Sequence, residues 1–302
     1  MFKSKNSMSR ALVRQETTAG YLFLLPSLFF FVTFVLYPMF LCIYTSFFDS
    51  NMGKNAVDVF VGLGNYKELF RDKLFLGALK NTVIIVVVAV PTVCAFSLWV
   101  ATAIYDMKPA LTSAFRCIFY LPVVTGSVAV TVVWKWMYNS RYGVFNYLFK
   151  SLGIIDQNIN WLGDARFALW CIILILFTTS VGQPIVLYVS ALGNVDHSLV
   201  EAAQVDGANR RQVFWKIKWA QIMPTTLYIL IITTINSFQC FALIQLLTSG
   251  GPTHSTDTIM YYIYYTAFKL YRYGYGNAMG VVLMIIIAVL SAVQFKLGQQ
   301  SD

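Results

Sequence analysis

Two groups of polar residues interrupt an otherwise apolar chain, and neither is a set for covalent chemistry. The first runs Ser198-Leu-Val-Glu201-Ala202-Ala203-Gln-Val-Asp206-Gly207-Ala208-Asn209-Arg210-Arg211-Gln212 and continues to Pro224. Ser198 with Glu201 three residues on has the spacing of a capping box, in which side chains satisfy amide donors left open at a helix start. Gly207 then ends that helix, because the left-handed conformation past a helix end costs glycine no Cβ clash. Asn209 and Gln212 cap a second helix, with Val213, Phe214 and Ile217 on one side and Arg210, Arg211, Lys216 and Lys218 elsewhere. The expected product is a helix-turn-helix knob over 198–224 that docks on something and takes up force. The second group is Asn236, Ser237, Gln239 and Cys240 in one apolar run and Thr178, Thr179, Ser180 and Gln183 in another. Polar groups in such runs either bond neighbouring helices, at about 1 kcal/mol each, or face a water-filled cavity that a polar solute crosses.

Sets that could cut or form bonds are missing from the pattern. No Asp, Glu or His falls mid-run in an apolar segment, and Lys80, Arg116 and Lys135 stand near the ends of theirs, within snorkelling reach of the interface. A proton-driven carrier would use a titratable group there. No G-x-x-x-x-G-K-[ST] segment is present, the only Gly-Lys pair, Gly53-Lys54, being followed by Asn55, so the chain carries no loop for hydrolysing ATP. His197 and His254 are far apart, and Cys42, Cys94, Cys117, Cys171 and Cys240 lie in apolar runs without a close pair. They read as small core residues, with no disulfide framework and no metal site. The chain is expected to be no enzyme.

The elements that must position these residues are membrane helices. With 58% hydrophobic and 12% charged residues over 302, the chain is too apolar for a soluble domain. Its net charge of +9 is spread over loops, which suits anionic lipid headgroups and leaves no nucleic-acid footprint. A polar, basic tail over 1–20, with Lys3, Lys5, Arg10 and Arg14, precedes a first span over 21–48. That span exceeds the ~20 residues needed to cross the hydrocarbon and has no cleavage site, so it is retained, with Pro26 and Pro38 near its ends. A turn-rich outer loop over 49–77 contains Gly62-Leu-Gly64-Asn65-Tyr66. A five-helix core then occupies 78–297: a span over 78–105 interrupted by Pro91, one over 115–137 with Trp134 and Trp136 at headgroup level, one over 167–192 broken at Gly182-Gln183-Pro184, one over 220–248 and one over 277–297. A short tail, 298–302, ends the chain. The tyrosines from Tyr261 through Tyr275 invite a stacking role and read more plainly as an interfacial belt. Gly250-Gly251-Pro252 is a turn.

Six spans put both termini on one side. The total of basic residues divides evenly between the two sides, but the first span has four before it and only Lys54 close after, and the inner loops are shorter and denser in charge. Both termini are therefore expected in the cytoplasm.

Glu201-Ala202-Ala203, Gly207 and Ile217 ten residues further closely resemble the EAA loop of ABC-importer permeases. Where that loop carries Leu-Pro after Ile-x, this chain has Trp219-Ala220, a departure that touches the bend into the next span and not the docking surface. Phe241 through Gly250-Gly251-Pro252 resembles the carbohydrate-importer branch, as in the larger maltose-permease subunit. Gly64-Asn65-Tyr66, Asn81-Thr82, Tyr120-Leu121-Pro122, Trp134-Lys135-Trp136 and Asn160-Trp161-Leu162-Gly163 look like the same branch. The resemblance implies an all-α integral membrane protein of six transmembrane helices with the type I ABC-importer permease fold, in a bacterial or archaeal cytoplasmic membrane. It implies a second homologous permease, two copies of a cytoplasmic ATPase that binds ATP and magnesium, and an extracytoplasmic solute-binding protein. This chain itself would hold no cofactor. Glu201, Ala202, Ala203, Asp206, Gly207 and Ala208 would couple to the ATPase. Asn236, Ser237, Gln239, Cys240 and Gln183 would line the path of a sugar, and Gly250, Gly251 and Pro252 would meet the binding protein. A glycerol-phosphate or polyol importer is the neighbouring alternative; a membrane-embedded enzyme or assembly factor is the alternative of another class.

Overall fold

The computed structural model describes residues 3–50 and 58–299, so Gly53-Lys54 and the tail beyond Gln299 lie outside the described residues. Helix α1 (Lys3–Phe31) begins well inside the segment expected as a tail and carries Pro26 in its interior. A π-helical turn, Val32–Leu36, links it to α2 (Tyr37–Thr45), with Pro38 in the first turn of α2. Both prolines therefore lie inside the first span, whose apolar stretch is within Thr17–Thr45. Beyond it, β1 (Phe48–Asp49) pairs antiparallel with β2 (Val59–Phe60), and α3 (Gly64–Leu69) follows. Asn65 is buried there and donates to the carbonyls of Ser46 at 2.8 Å and Phe48 at 2.9 Å, tying the turn to the end of the first span.

Helix α4 (Lys73–Tyr105) is 33 residues long and is not interrupted by Pro91. A proline removes one hydrogen bond from the ladder, and its neighbours in the bundle hold the helix through that gap. The run expected as a single span over 115–137 is instead two helices, α5 (Pro109–Val124) and α6 (Ser127–Met137), bent by 95°. Thr125 and Gly126 between them are extended, with ψ of 125° and 141°, after Pro122 has weakened the last turn of α5. The loop that follows contains α7 (Val144–Ser151). Asn146 within it is buried, donating to the Ile159 carbonyl at 2.9 Å and accepting from the Trp161 indole at 3.0 Å.

The next span breaks at Val181, one residue before the expected Gly182, into α8 (Ala168–Ser180) and α9 (Gly182–Gly193). The hydroxyl of Ser97 on α4 donates to the Val181 carbonyl at 3.2 Å and steadies the break. After α10 (His197–Val205) and α11 (Arg210–Val213), a π-helical turn, Phe214–Lys218, runs straight into α12 (Trp219–Phe238), and α13 (Ala242–Leu247) completes the span. The second knob helix is thus no separate element but the first turn of a 38-residue run, Arg210–Leu247, with Pro224 inside it. A loop leads to α14 (Ile259–Tyr264), a π-helical turn over Tyr265–Lys269, and α15 (Tyr273–Gln299), which begins four residues before the expected span.

Among the described residues five helices are long and apolar enough to cross a membrane, and the bent pair α5–α6 brings the number to six where it counts as one span. The bundle core forms where α4, α9 and α12 meet, around Val93, Ala101, Ile185, Tyr188 and Ile229. A second cluster unites α6, α8 and α13 through Val130, Ile172 and Ile244. Gly182 sits where α9 touches α5, and a Cβ placed there would lie 2.3 Å from the Phe119 carbonyl oxygen, so only glycine permits that approach.

Candidate coupling knob and translocation cavity

The knob is built by three local devices. Asp196, and not Ser198, caps α10: its Oδ1 accepts from the Ser198 amide at 2.8 Å and the Ser198 hydroxyl at 2.7 Å. These hydrogen bonds hold the Asp196 carboxyl below its ordinary range. The cap moved because aspartate two residues upstream offers a charged acceptor to the same open donors, leaving Glu201 exposed and uninvolved in capping. At the other end Gly207 takes φ 84°, its amide donating to the Gln204 carbonyl at 3.0 Å and that of Ala208 to the Ala203 carbonyl at 2.9 Å. This pair of bonds is the Schellman closure that a glycine just past a helix end allows. Asn209 and Gln212 then form the expected reciprocal capping box, at 2.8 and 2.9 Å.

Glu201, Ala202, Asp206 and Gly207 are exposed, while Ala203 and Ala208 are half-buried beside a shallow concavity of about 320 Å³ reaching to Gln212 and Ile217. Val205 at the tip is 88% exposed, an apolar side chain left in the open that sequence reasoning passed over.

The second feature is a cavity of about 150 Å³ between α5, the α8–α9 break and α12. Thr179, Ser180, Gln183 and Asn236 line it, with Tyr228, Ile232 and Thr233. The structure therefore brings together Gln183 and Asn236, which are 53 residues apart in sequence. The side-chain amides of both are without a hydrogen-bond partner among the described residues. Gln239 lies one turn from Asn236 and is exposed, outside the lining. Ser237 and Cys240 are buried on the other side of the helix, Cys240 inside the apolar cluster with Cys171 and Ile244. Tyr228 was not singled out in the sequence; it, Ile232 and Asn236 recur at four-residue steps and so share a helix face.

The loop over 248–258 is pinned from below. Asn81 donates to the carbonyls of Ser255 and Asp257 at 3.1 and 3.0 Å, and Thr82 accepts from the Ile259 amide at 3.0 Å. Within the loop the Gly251 carbonyl accepts from the Thr256 hydroxyl at 2.8 Å, and Gly250 and Pro252 complete the turn. His254 bonds Asp257 at 2.7 Å, while burial pushes the Asp257 carboxyl up. The tyrosines beyond it are neither a simple belt nor an open stacking face. Tyr261 is buried and donates to the Ser249 carbonyl at 2.8 Å, and Tyr262 and Tyr275 both donate to Asp72, at 2.7 and 2.9 Å. Nearby, Arg272 pairs in a fork with Glu68, both contacts at 2.8 Å, and lies over the Tyr275 ring. Of the cysteines, Cys117 is exposed and not a core residue. Among the described residues no group of three His, Cys, Asp or Glu could hold a metal ion.

Crossing apolar spans, a polar cavity at their breaks and a capped knob continuous with one span define a multi-pass membrane permease. The chain belongs to the family described as binding-protein-dependent transport system inner membrane component, whose profile matches residues 59–299. Among its relatives are the probable ABC transporter permease protein YesP of Bacillus subtilis (strain 168), 33% identical over 288 residues and covering 94% of this chain and 91% of the relative. The lactose transport system permease protein LacF of Rhizobium radiobacter is 33% identical over 288 residues, covering 94% and 95%. The fold matches a chain in the crystal structure of a bacterial alginate ABC transporter in complex with alginate pentasaccharide-bound periplasmic protein, with a TM-score of 0.80 at 24% identity and 93% of each chain covered. The fold is that of type I ABC-importer permeases.

Proposed function

We propose that this chain forms half of the membrane path of an ABC importer for an oligosaccharide, and that its knob transmits closure of a separate cytoplasmic ATPase to that path. The observation that carries this reading is continuity: the run Arg210–Leu247 starts at the knob and lines the cavity through Tyr228, Ile232 and Asn236. A rigid shift of the knob is then a shift of the cavity wall. The cavity offers amides, hydroxyls and one aromatic face, the groups a sugar uses. Its 150 Å³ is below the roughly 300–1,000 Å³ of ordinary ligand pockets, as befits half a site completed by a second, homologous permease. No Lys, Arg or His is in its lining, which supports a neutral sugar over a glycerol phosphate. The relatives that transport sugars, such as the lactose permease, support the same class. Both termini would lie in the cytoplasm, two copies of the ATPase would hold ATP and magnesium, and an external binding protein would deliver the solute near Gly250-Gly251-Pro252.

The test is reconstitution with the second permease, the ATPase and the binding protein in proteoliposomes. ATP-dependent oligosaccharide uptake that protonophores leave unchanged is the expected result; uptake independent of the ATPase would overturn the reading.

A further inference from the structure

A larger cavity, of about 540 Å³, lies behind the knob and is separate from the one between the spans. Its wall is shared by the end of α4, with Tyr105 and Asp106, the first turn of α10, with His197, and the start of the long fifth span, with Arg210, Phe214 and Lys218. Neither Arg210 nor Lys218 has an ion-pair partner among the described residues. The Lys218 ammonium stands over the Tyr105 ring, 4.9 Å from its centre, a contact that fixes a cation in the wall without neutralising it. Against these two cations stands the single carboxylate of Asp106, so the cavity keeps a net positive charge. Phe214 in its lining is edge-on at 5.2 Å to Trp215, which is outside the lining, and Trp215, 60% exposed at the start of the span, packs on Trp219 at 5.4 Å. Exposed tryptophans at a span end mark headgroup depth, and basic pockets between spans at that depth suit phosphate headgroups.

We propose that this cavity binds the headgroup of an anionic phospholipid, its phosphate on Arg210 and Lys218, a headgroup hydroxyl donating to Asp106, and its chains leaving past Phe214 and Trp215. The lipid would brace the base of the knob against the end of α4. This inference rests on the proposed orientation, with the knob at the cytoplasmic headgroup level.

The assembled transporter, purified in mild detergent and titrated with phosphatidylglycerol, phosphatidylcholine or inorganic phosphate, gives the test by native mass spectrometry. Retention of phosphatidylglycerol over phosphatidylcholine is expected, with affinity falling roughly thirtyfold in Arg210→Gln/Lys218→Gln and about fivefold in Lys218→Gln alone. The single variant decides the matter should the double variant fail to assemble. Equal retention of phosphatidylglycerol by wild type and variant would overturn the site. Binding of inorganic phosphate without the lipid would overturn the lipid as its source. Retention is read without ATP or solute, so it stands or falls apart from coupling.

Discussion

Gly207 stands at φ 84° with open space around the position of a Cβ, so the cost of replacing it is conformational and not steric. An alanine there should cost about 1–2 kcal/mol of local stability, and Gly207→Pro also loses the amide that closes on Gln204. The expected outcome for Gly207→Pro is a transporter that inserts and assembles but whose ATP hydrolysis is no longer stimulated by solute. Glu201→Lys should do the same without lowering the melting temperature, because Glu201 is exposed and Asp196 does the capping. Stimulation at the wild-type level in both variants would remove the knob from coupling. At the start of α4, burial raises the Asp72 carboxyl, but hydrogen bonds from Tyr262, Tyr275 and the Leu74 and Phe75 amides outweigh it and leave the carboxyl below its ordinary 3.8. The folded state therefore holds this proton less readily than the unfolded chain, and the stability is present above 3.8 and lost as pH falls through the lower folded value. Asp72→Asn should melt at lower temperature than wild type at pH 7, with the gap narrowing as pH falls through that window; a gap unchanged with pH would refute the linkage. Sequence spacing was enough to find Gly207 and the Asn209–Gln212 cap, since these are contacts within a few residues. It could not find Asp72 with Tyr262 and Tyr275, which are 190 and 203 residues away.

The breaks in the helices are where function and packing meet. Apolar length marked the helices long enough to cross a membrane, but Pro91 left α4 whole while the run expected as the third span bends by 95° at Thr125-Gly126. A proline only deletes one donor; whether the helix stops depends on what neighbouring helices supply, which local pattern does not record. Asn65 and Asn81 stood out in the sequence, and the structure uses each, together with Asn146, as an anchor for a neighbouring loop's backbone. At the α5–α9 crossing, Gly182→Ala should push the helices apart, at about 1–3 kcal/mol, while Gly193→Ala, with nothing within 4 Å, should be silent. Thermal unfolding of the purified complex reads the difference, and equal melting temperatures would deny the close contact. Across the cavity, replacing Gln183 and Asn236 by Leu should cut uptake severalfold and leave the external binding protein's affinity for solute unchanged. Uptake at the wild-type rate would move the path elsewhere. The sequence grouped Asn236, Ser237, Gln239 and Cys240 as one path, and only the tertiary fold separates Asn236, which joins Gln183 in the cavity wall, from buried Ser237 and Cys240 and from Gln239 outside the lining.

On the proposed reading the whole molecule is a lever moved by a partner. No phosphate-binding loop is in the sequence, so in the proposed importer its inward-open and outward-open states are biased only by differential contacts with partners. Moving such an equilibrium from about 1:99 to 99:1 takes ~5.5 kcal/mol of differential binding, more than one short helix's rim contacts supply. Two knobs, one on each permease and each continuous with a span as Arg210–Leu247 is here, would share it. Basic-residue totals were silent on orientation, so the side proposed for the knob rests on the basic flank before the first span, the denser inner loops and the docking it is proposed to make. The measurement that tests this most directly is a cysteine cross-link from Ala208→Cys in the assembled, ATP-hydrolysing complex. A disulfide formed with added copper phenanthroline as oxidant, between Ala208→Cys and a cysteine placed in a groove on the ATPase, that forms in the native state and still permits the ATPase dimer to open and close is the predicted result. A cross-link that forms only after denaturation, or to no ATPase at all, would contradict the coupling role.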